Sequence, residues 1–417
     1  MLSISRRRWI QGSMALAASA AAPALKAQPS TSRALPAPIG KAERMARLAK
    51  ARRLMEREGL GSIIIEPGAS LDYFTGVRWS RSERLTAAVI PVSGPPLIVT
   101  PFFEKPSVAE SLQVDADIRT WDEHEEPLRT VAGILHETKV AGQPIGIEET
   151  NRFFIVDRLK QQYPKAVTRN ANGVVRGCRM IKSPAELALM QEASDITLDA
   201  IREMHGKLKS GMTPDDISTL LEQAMVSRGG SSPWALVLIG EAAAYPHGSG
   251  KPQVLRPGEI LLVDTGCAVR GYQADISRTF VFGAAPTADQ RRVWEQVAQG
   301  QKIAMQAARI GVTAGSVDDA VRAAYTRWGY GPDYKLPGLS HRTGHGIGME
   351  GHEPINLVRG EATTLAPGMC FSNEPGIYIP GKFGVRLEDC FHMTAAGPKW
   401  FSVPPASIDD PFGRSGA

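Results

Sequence analysis

The chain has 417 residues, 43% apolar and 22% charged, with four cysteines and no apolar run long enough to cross a bilayer. This excludes a disordered, collagenous, disulfide-scaffolded or multi-span membrane protein and suggests about two to four domains. The formal net charge is +5, but Arg6, Arg7, Arg8 and Lys26 supply four of those charges with no acid beside them. The rest of the chain is close to neutral, so no nucleic-acid partner is expected.

Residues 1–27 carry Ser5-Arg6-Arg7-Arg8-Trp9-Ile10, then an Ala/Gly/Ser-rich stretch from Gly12 to Ala24, then Leu25-Lys26-Ala27. A charged start, a short apolar middle and a small-residue end make a twin-arginine signal peptide, too short and alanine-rich for a stable membrane anchor. The expectation is export of the folded protein by the twin-arginine machinery, to the periplasm or beyond. Residues 28–39, with Pro and Ser, are expected to be a linker.

Met45, Leu48, Ala51 and Met55 recur at helical spacing before Gly59, predicting an amphipathic helix. Strand-like runs follow at 62–65, 86–92, 97–100 and 144–147, with helical patterns between them. A first α/β domain is therefore expected at 40–174.

The remainder repeats itself. Ser183-Pro184-Ala185-Glu186 and Thr213-Pro214-Asp215-Asp216 open two helices; Thr287 with Gln290, and Ser316 with Asp319, open a second pair. The turns Gly211-Met212-Thr213 and Gly311-Val312-Thr313 correspond. Leu255-Arg256-Pro257-Gly258 precedes Asp264 and Gly266 as Leu365-Ala366-Pro367-Gly368 precedes Glu374 and Gly376. Asp275 and Glu388 each lie four residues after a glycine, Gly271 and Gly384, and His247-Gly248 matches His345-Gly346. A second domain at 175–403 is expected to be two α/β halves facing each other across a pseudo-twofold axis, leaving 404–417 as a tail.

Facing halves bring Asp264, Asp275, Glu374 and Glu388 to one apolar centre. Four carboxylates there cannot all stay ionised without cations, and a pair of divalent ions removes the conflict. His345 adds a nitrogen. Four carboxylates and one imidazole favour Mn²⁺, with Co²⁺, Fe²⁺ or Zn²⁺ as alternatives.

The ordered blocks Leu262-Val263-Asp264-Thr265-Gly266, Asp275-Ile276-Ser277-Arg278-Thr279, His341-x3-His345-Gly346-Ile347-Gly348-x3-His352-Glu353-Pro354, Asn373-Glu374-Pro375-Gly376-Ile377-Tyr378 and Val385-Arg386-Leu387-Glu388-Asp389 resemble the pita-bread metallopeptidases. That is the group of prolidase, aminopeptidase P and creatinase, and the resemblance spans residues 40–403. It implies an α/β (α+β) protein, a creatinase-like N-terminal domain before a pita-bread catalytic domain. It also implies two divalent ions held by Asp264, Asp275, His345, Glu374 and Glu388, a full set that argues against creatinase itself. Glu374 would double as acid/base for metal-bridging solvent, His352 would stabilise the oxyanion, and His247 would meet substrate near the departing nitrogen. His341, Tyr378 and Arg386 would orient ligands or relay protons; a plain ion pair with a ligand acid is the alternative for Arg386. The implied substrate is a proline-containing peptide cut at Xaa-Pro, whose tertiary amide most peptidases refuse.

The resemblance leaves dipeptides and longer peptides open. Lysis or hydrolysis of a small non-peptide compound on the same fold is the second reading, and a non-catalytic binding protein the third. A homodimer is expected, with Thr75–Arg81 either reaching a neighbouring site or forming an ordinary surface loop. Strand alternation from Glu374 and Glu388 sets Cys370 opposite His392 and Cys390 opposite Ser372, too far apart for an unstrained disulfide, so both are expected as reduced, buried thiols. Replacing Arg6, Arg7 and Arg8 together by Lys should trap the protein in the cytoplasm on fractionation; unchanged export would refute the leader assignment.

Overall fold

Helix α1 (Lys41–Glu58) ends at Gly59, as the sequence predicts. Its buried stripe differs in part: Leu48, Ala51 and Met55 face inward, but Met45 is exposed and Arg44 and Arg47 are buried. Arg44 reaches the Asp72 carboxylate at 3.0 Å, and Arg47 donates to the Tyr272 hydroxyl at 2.9 Å beside Glu186. Paired in this way, two cations can occupy an interface where a lone one would be expelled. The computed structural model describes residues 34–138, 140 and 142–412. The expected leader, the start of the linker and the end of the tail lie outside the described residues.

The first domain continues through β1 (Ser62–Ile65), α2 (Ala69–Thr75), β2 (Ala87–Pro91), β3 (Leu97–Pro101), α3 (Lys105–Ser111), β4 (Asp117–Trp121), α4 (Pro127–Glu137), β5 (Ile145–Ile147), α5 (Phe153–Gln162), β6 (Thr168–Asn170) and α6 (Asn172–Arg179). Its mixed sheet has the order β4-β3-β2-β1-β5-β6. The two edge strands escape the sequence pattern because β4 (Asp-Ile-Arg-Thr-Trp) and β6 (Thr-Arg-Asn) are largely polar and poorly buried, as edge strands tend to be. The boundary expected at 174 falls inside α6, whose Val174, Val175 and Cys178 pack with Leu48, Met55 and Ile63.

The second domain opens with α7 (Pro184–His205), α8 (Pro214–Ser227), β7 (Ser231–Ile239), β8 (Ile260–Val269), β9 (Tyr272–Gln273) and β10 (Ile276–Val281). It then repeats with α9 (Ala288–Ala307), α10 (Ala314–Arg327), β11 (Gly344–Gly346), β12 (Glu353–Leu357), β13 (Cys370–Asn373), β14 (Gly376–Ile379), β15 (Phe383–Arg386), β16 (Asp389–Thr394) and β17 (Gly397–Trp400). Reciprocal capping boxes start α7, α8 and α9. Helix α10 begins earlier than Ser316 and Asp319 suggest: Thr313 is its N-cap, and the Ser316 hydroxyl donates to the Thr313 carbonyl at 2.6 Å. One sheet runs β10-β8-β7 with β9 on β8, a second runs β12-β11-β13-β16-β17, and β14 pairs with β15.

Matching hydrogen bonds relate the halves. Gly211 N–H donates to Leu255 O and Leu255 N–H to Met212 O; Gly311 N–H donates to Leu365 O and Leu365 N–H to Val312 O. Gly258 N–H meets Phe282 O as Gly368 N–H meets Met393 O, both at 2.8 Å. The halves join through Ser277 and Glu388, each donating its N–H to the other's carbonyl at 3.2 and 3.1 Å. Cys370 lies opposite His392 and Cys390 opposite Ser372, and the four cysteines are buried free thiols. Ile39, at the end of the expected linker, and Ile408, in the expected tail, are buried against the second domain.

Arg278, fully buried on β10, ties the same junction from behind. It bonds Asp389 at 2.8 and 3.2 Å and the carbonyls of Ser277 and Glu388 at 3.0 and 2.9 Å. Arg278→Met should destabilise the chain by about 3–5 kcal/mol, because it strands the Asp389 charge in a dry site. Denaturant unfolding checks this, and a loss under 1 kcal/mol would show that the pair does not hold the halves together.

Candidate metal centre

Asp264 lies in the middle of β8, behind Leu261, Leu262 and Val263, all fully buried. Asp275 sits just before β10, Glu374 just after β13, and Glu388 between β15 and β16. Three of the four expected carboxylates therefore leave from strand ends, where the backbone can turn its side chains inward. Gly266 makes this possible on one side, since a Cβ there would collide with the Ala274 carbonyl that leads into Asp275. His345, at the centre of β11, has its Nε2 3.4 Å from Glu374, 3.7 Å from Asp275 and 3.9 Å from Glu388. Its Nδ1 lies 3.0 Å from the Gly346 carbonyl, which can only accept, so Nδ1 carries the proton and the Nε2 lone pair faces the carboxylates.

The five side chains fall into two sets of three, Asp264–Asp275–Glu388 and His345–Glu374–Glu388, with ligand atoms within 4.8 Å of one another and Glu388 common to both. A third set, Asp275–His345–His352, overlaps them. Asp264 Oδ1, Asp275 Oδ1 and Glu388 Oε1 are buried without a hydrogen-bond partner. Buried anionic oxygens cost several kcal/mol each unless something positive meets them. Burial, then the charges of Asp264 and Glu374, pushes the Asp275 carboxyl well up; burial, then Asp275, does the same to Glu388. Burial holds Glu374 up to about 7, with Arg386 opposing and Asp264 adding to the rise. Unpartnered anionic oxygens around one imidazole lone pair fit hard or borderline divalent cations.

Behind the carboxylates runs a polar chain. Arg386 donates to Asp264 at 2.6 Å, to the Tyr378 hydroxyl at 3.0 Å and to Ser277 Oγ at 3.1 Å, and Ser277 Oγ donates to Glu388 at 2.8 Å. Arg386 therefore makes the ion pair that was its simpler reading and also braces two neighbours. His341 Nδ1 lies 2.7 Å from the Arg342 carbonyl, so its Nε2 accepts from Tyr378, also at 2.7 Å. Burial lowers His341 to about 3, keeping it a neutral acceptor.

His352 stacks edge-on to His345, with ring centroids 4.1 Å apart, and His247 stands exposed at the mouth of the same cavity, which encloses about 730 Å³. All the singled-out site residues except Tyr378 line that cavity; Tyr378 lies behind it, fully buried. Sequence reasoning missed the apolar wall of Trp234, Leu236 and Pro246 and the guanidinium of Arg342. No motif marks Trp234. Ser277 had a signal, being two residues after Asp275 and hence on the same face of β10.

Two family models divide the chain: residues 47–181 match the creatinase/prolidase N-terminal domain, and residues 188–395 match metallopeptidase family M24. The chain is similar to a probable dipeptidase PepE of Mycobacterium tuberculosis, 34% identical over 361 residues, covering 84% of this chain and 92% of that protein. It is similar also to an Xaa-Pro dipeptidase of Lactobacillus helveticus, 31% identical over 338 residues and covering 80% and 90%. Among solved structures, dipeptidase PepE from Mycobacterium ulcerans superposes with a TM-score of 0.81 at 32% identity, covering 89% and 98%. An X-Pro aminopeptidase from Thermotoga maritima gives 0.76 at 26%, covering 89% and 99%. With both domains matched and the carboxylate-histidine centre assembled at their expected place, the chain belongs to metallopeptidase family M24.

Proposed function

We propose that this protein hydrolyses Xaa-Pro peptide bonds with two divalent ions, Mn²⁺ being the first expectation, held by Asp264, Asp275, His345, Glu374 and Glu388. The observation that carries this reading is the pair of three-residue sets sharing Glu388, with buried oxygens that nothing in the chain satisfies. When bound, the ions would polarise the scissile carbonyl and make water acidic enough to attack near neutrality.

The chain's own groups do the rest. Glu374, held up to about 7 before metal enters, is the carboxylate that takes the proton from attacking water and returns it to the departing nitrogen. His352, at the cavity wall beside His345, donates to the developing oxyanion. His247 meets the departing residue at the mouth, and Trp234, Leu236 and Pro246 offer an apolar seat for a pyrrolidine ring. The Arg386–Tyr378–His341 chain fixes the Asp264 carboxylate and supplies a hydrogen-bonded route for charge and proton adjustment. The names of the relatives support Xaa-Pro as the bond cut, and the dipeptidases among them make Xaa-Pro dipeptides the substrate to try first.

Mn²⁺-loaded protein should release proline from Gly-Pro and lose this activity on chelation. Glu374→Gln should lower kcat by about 10³-fold or more while preserving the thermal unfolding transition. Near-normal turnover by that variant at full metal loading would remove Glu374 from the reaction. A panel of Gly-Pro, Xaa-Pro-Xaa and non-proline peptides separates dipeptidase from aminopeptidase action, and no cleavage of any of them would overturn the peptidase reading.

A further inference from the structure

The turn Ile347–His352, which presents His352 to the cavity, has backbone hydrogen bonds at its start, from Ile347 N–H to the Cys370 carbonyl at 3.2 Å and from Gly348 N–H to the Glu350 carbonyl at 3.1 Å. Within it the Glu353 carboxylate does the work of a core. Glu353 Oε1 accepts from the Met349 N–H at 2.9 Å and from Arg179 Nη2 at 2.7 Å, and Oε2 accepts from Lys182 Nζ at 2.8 Å. All three side chains are buried. Gly348 leaves room for the carboxylate to fold back, because a Cβ there would stand 2.7 Å from Glu353 Oε1 and 2.8 Å from Lys182 Cε.

The clamp comes from outside the catalytic sheet. Arg179 ends α6 of the first domain, where it also bonds Ser70 at 2.9 Å and Glu350 at 2.7 Å. Lys182 lies in the connector between the domains. On the far side of the turn, Gln273 donates its N–H to the Gly348 carbonyl at 2.8 Å. The turn is thus gripped by the first domain, the connector and β9 together.

Strain accompanies this grip. Between β11 and β12, Gly346 pairs with Glu353 and His345 with Asn356, so Pro354 and Ile355 bulge out of register. Ile355 takes a φ of +80°, a left-handed conformation that a β-branched residue adopts at a cost of about 1–3 kcal/mol. The bulge lies directly beside the segment joining the metal-facing His345 to His352. A strained backbone of this kind persists only when its surroundings over-determine it; the Glu353 ion cluster holds one end of the bulge, and the core packing of Ile355 holds the other.

We propose that Glu353 is a positioning residue for His352. Held by Arg179 from the first domain and Lys182 from the connector, it sets the Ile347–His352 turn so that the His352 imidazole stands against His345 and faces substrate. The first domain thereby tunes the catalytic site through one carboxylate. This inference rests on the reading of His352 as the oxyanion donor, but its geometric part is independent of activity.

The test uses the full-length, metal-free protein labelled at histidine Cε1, with the His352 signal assigned by its loss in His352→Ala. The close contact with His345 should displace that signal through the ring current of the neighbouring imidazole. In Glu353→Gln and in Arg179→Lys it should move towards the free-histidine position, while the signal of His205, packed between Phe280 and Phe412, stays in place as the control for global change. In the metal-loaded enzyme, Glu353→Gln should lower kcat on Gly-Pro by about 10- to 100-fold with little change in KM, and should have less than about a twofold effect in the His352→Ala background. An unmoved His352 signal in either folded variant, or an equal kcat loss with and without His352, would overturn the proposal. Should Glu353→Gln not fold, Arg179→Lys decides. Should the wild-type protein cleave no Xaa-Pro peptide, the proposed function falls and the histidine signals still judge the positioning claim.

Discussion

Four carboxylates face one another on the wall of one cavity, and the rest of the catalytic domain is organised around that repulsion. Burial, with the charges of Asp264 and Glu374, drives Asp275 towards the protonated form; burial, with the charge of Asp275, does the same to Glu388, and Glu374 is lifted to about 7. Arg386 answers Asp264 at 2.6 Å. Its other bonds go to Tyr378, Ser277 and the Pro246 carbonyl, so it braces the centre without neutralising it. The uncompensated remainder is the chemical demand that divalent ions would meet.

The scaffold meets this demand by duplication. One half brings Asp264 from the middle of β8 and Asp275 from just before β10, the other Glu374 from just after β13 and Glu388 from between β15 and β16, and the halves are locked at the point where those side chains converge. The Ser277–Glu388 backbone exchange includes Glu388, and the Arg278–Asp389 pair is next to it in the chain. Rigid positioning of this kind matters because metal-ligand and acid/base geometry tolerates little error. The five clustered side chains belong to the second domain, yet the first domain reaches the site through Arg179 and reaches the opening of α7 through Arg47 and its contacts with Tyr272 and Glu186.

Much of this architecture could be read from residue order alone, and for physical reasons. Repeated capping boxes, the paired Pro-Gly turns and the two carboxylates per half recur at nearly constant offsets, and the structure assembles them at one place. The Cys370 and Cys390 register followed from strand alternation. What escaped notice depended on tertiary partners. Arg44 and Arg47 are inward-facing because Asp72 and Glu186 wait for them, which no helical periodicity reveals. The edge strands β4 and β6 bury too little to leave a pattern. The Trp234 wall and the Arg179–Glu353–Lys182 cluster come together only after folding, Glu353 lying 174 and 171 residues from Arg179 and Lys182.

On the function proposed above, these five side chains form one two-ion centre whose charge is incomplete without metal. Calorimetric titration of the metal-free protein with Mn²⁺, in two buffers of different ionisation enthalpy, tests it most directly. Because the Asp275, Glu374 and Glu388 carboxyls are pushed up while the His345 imidazole is held neutral by burial, protons must leave the carboxyls as ions enter. Two ions should bind per chain, with proton release at pH 6 that shrinks as pH rises and an affinity that rises with pH. A single ion, or binding at pH 6 without proton release, would contradict it.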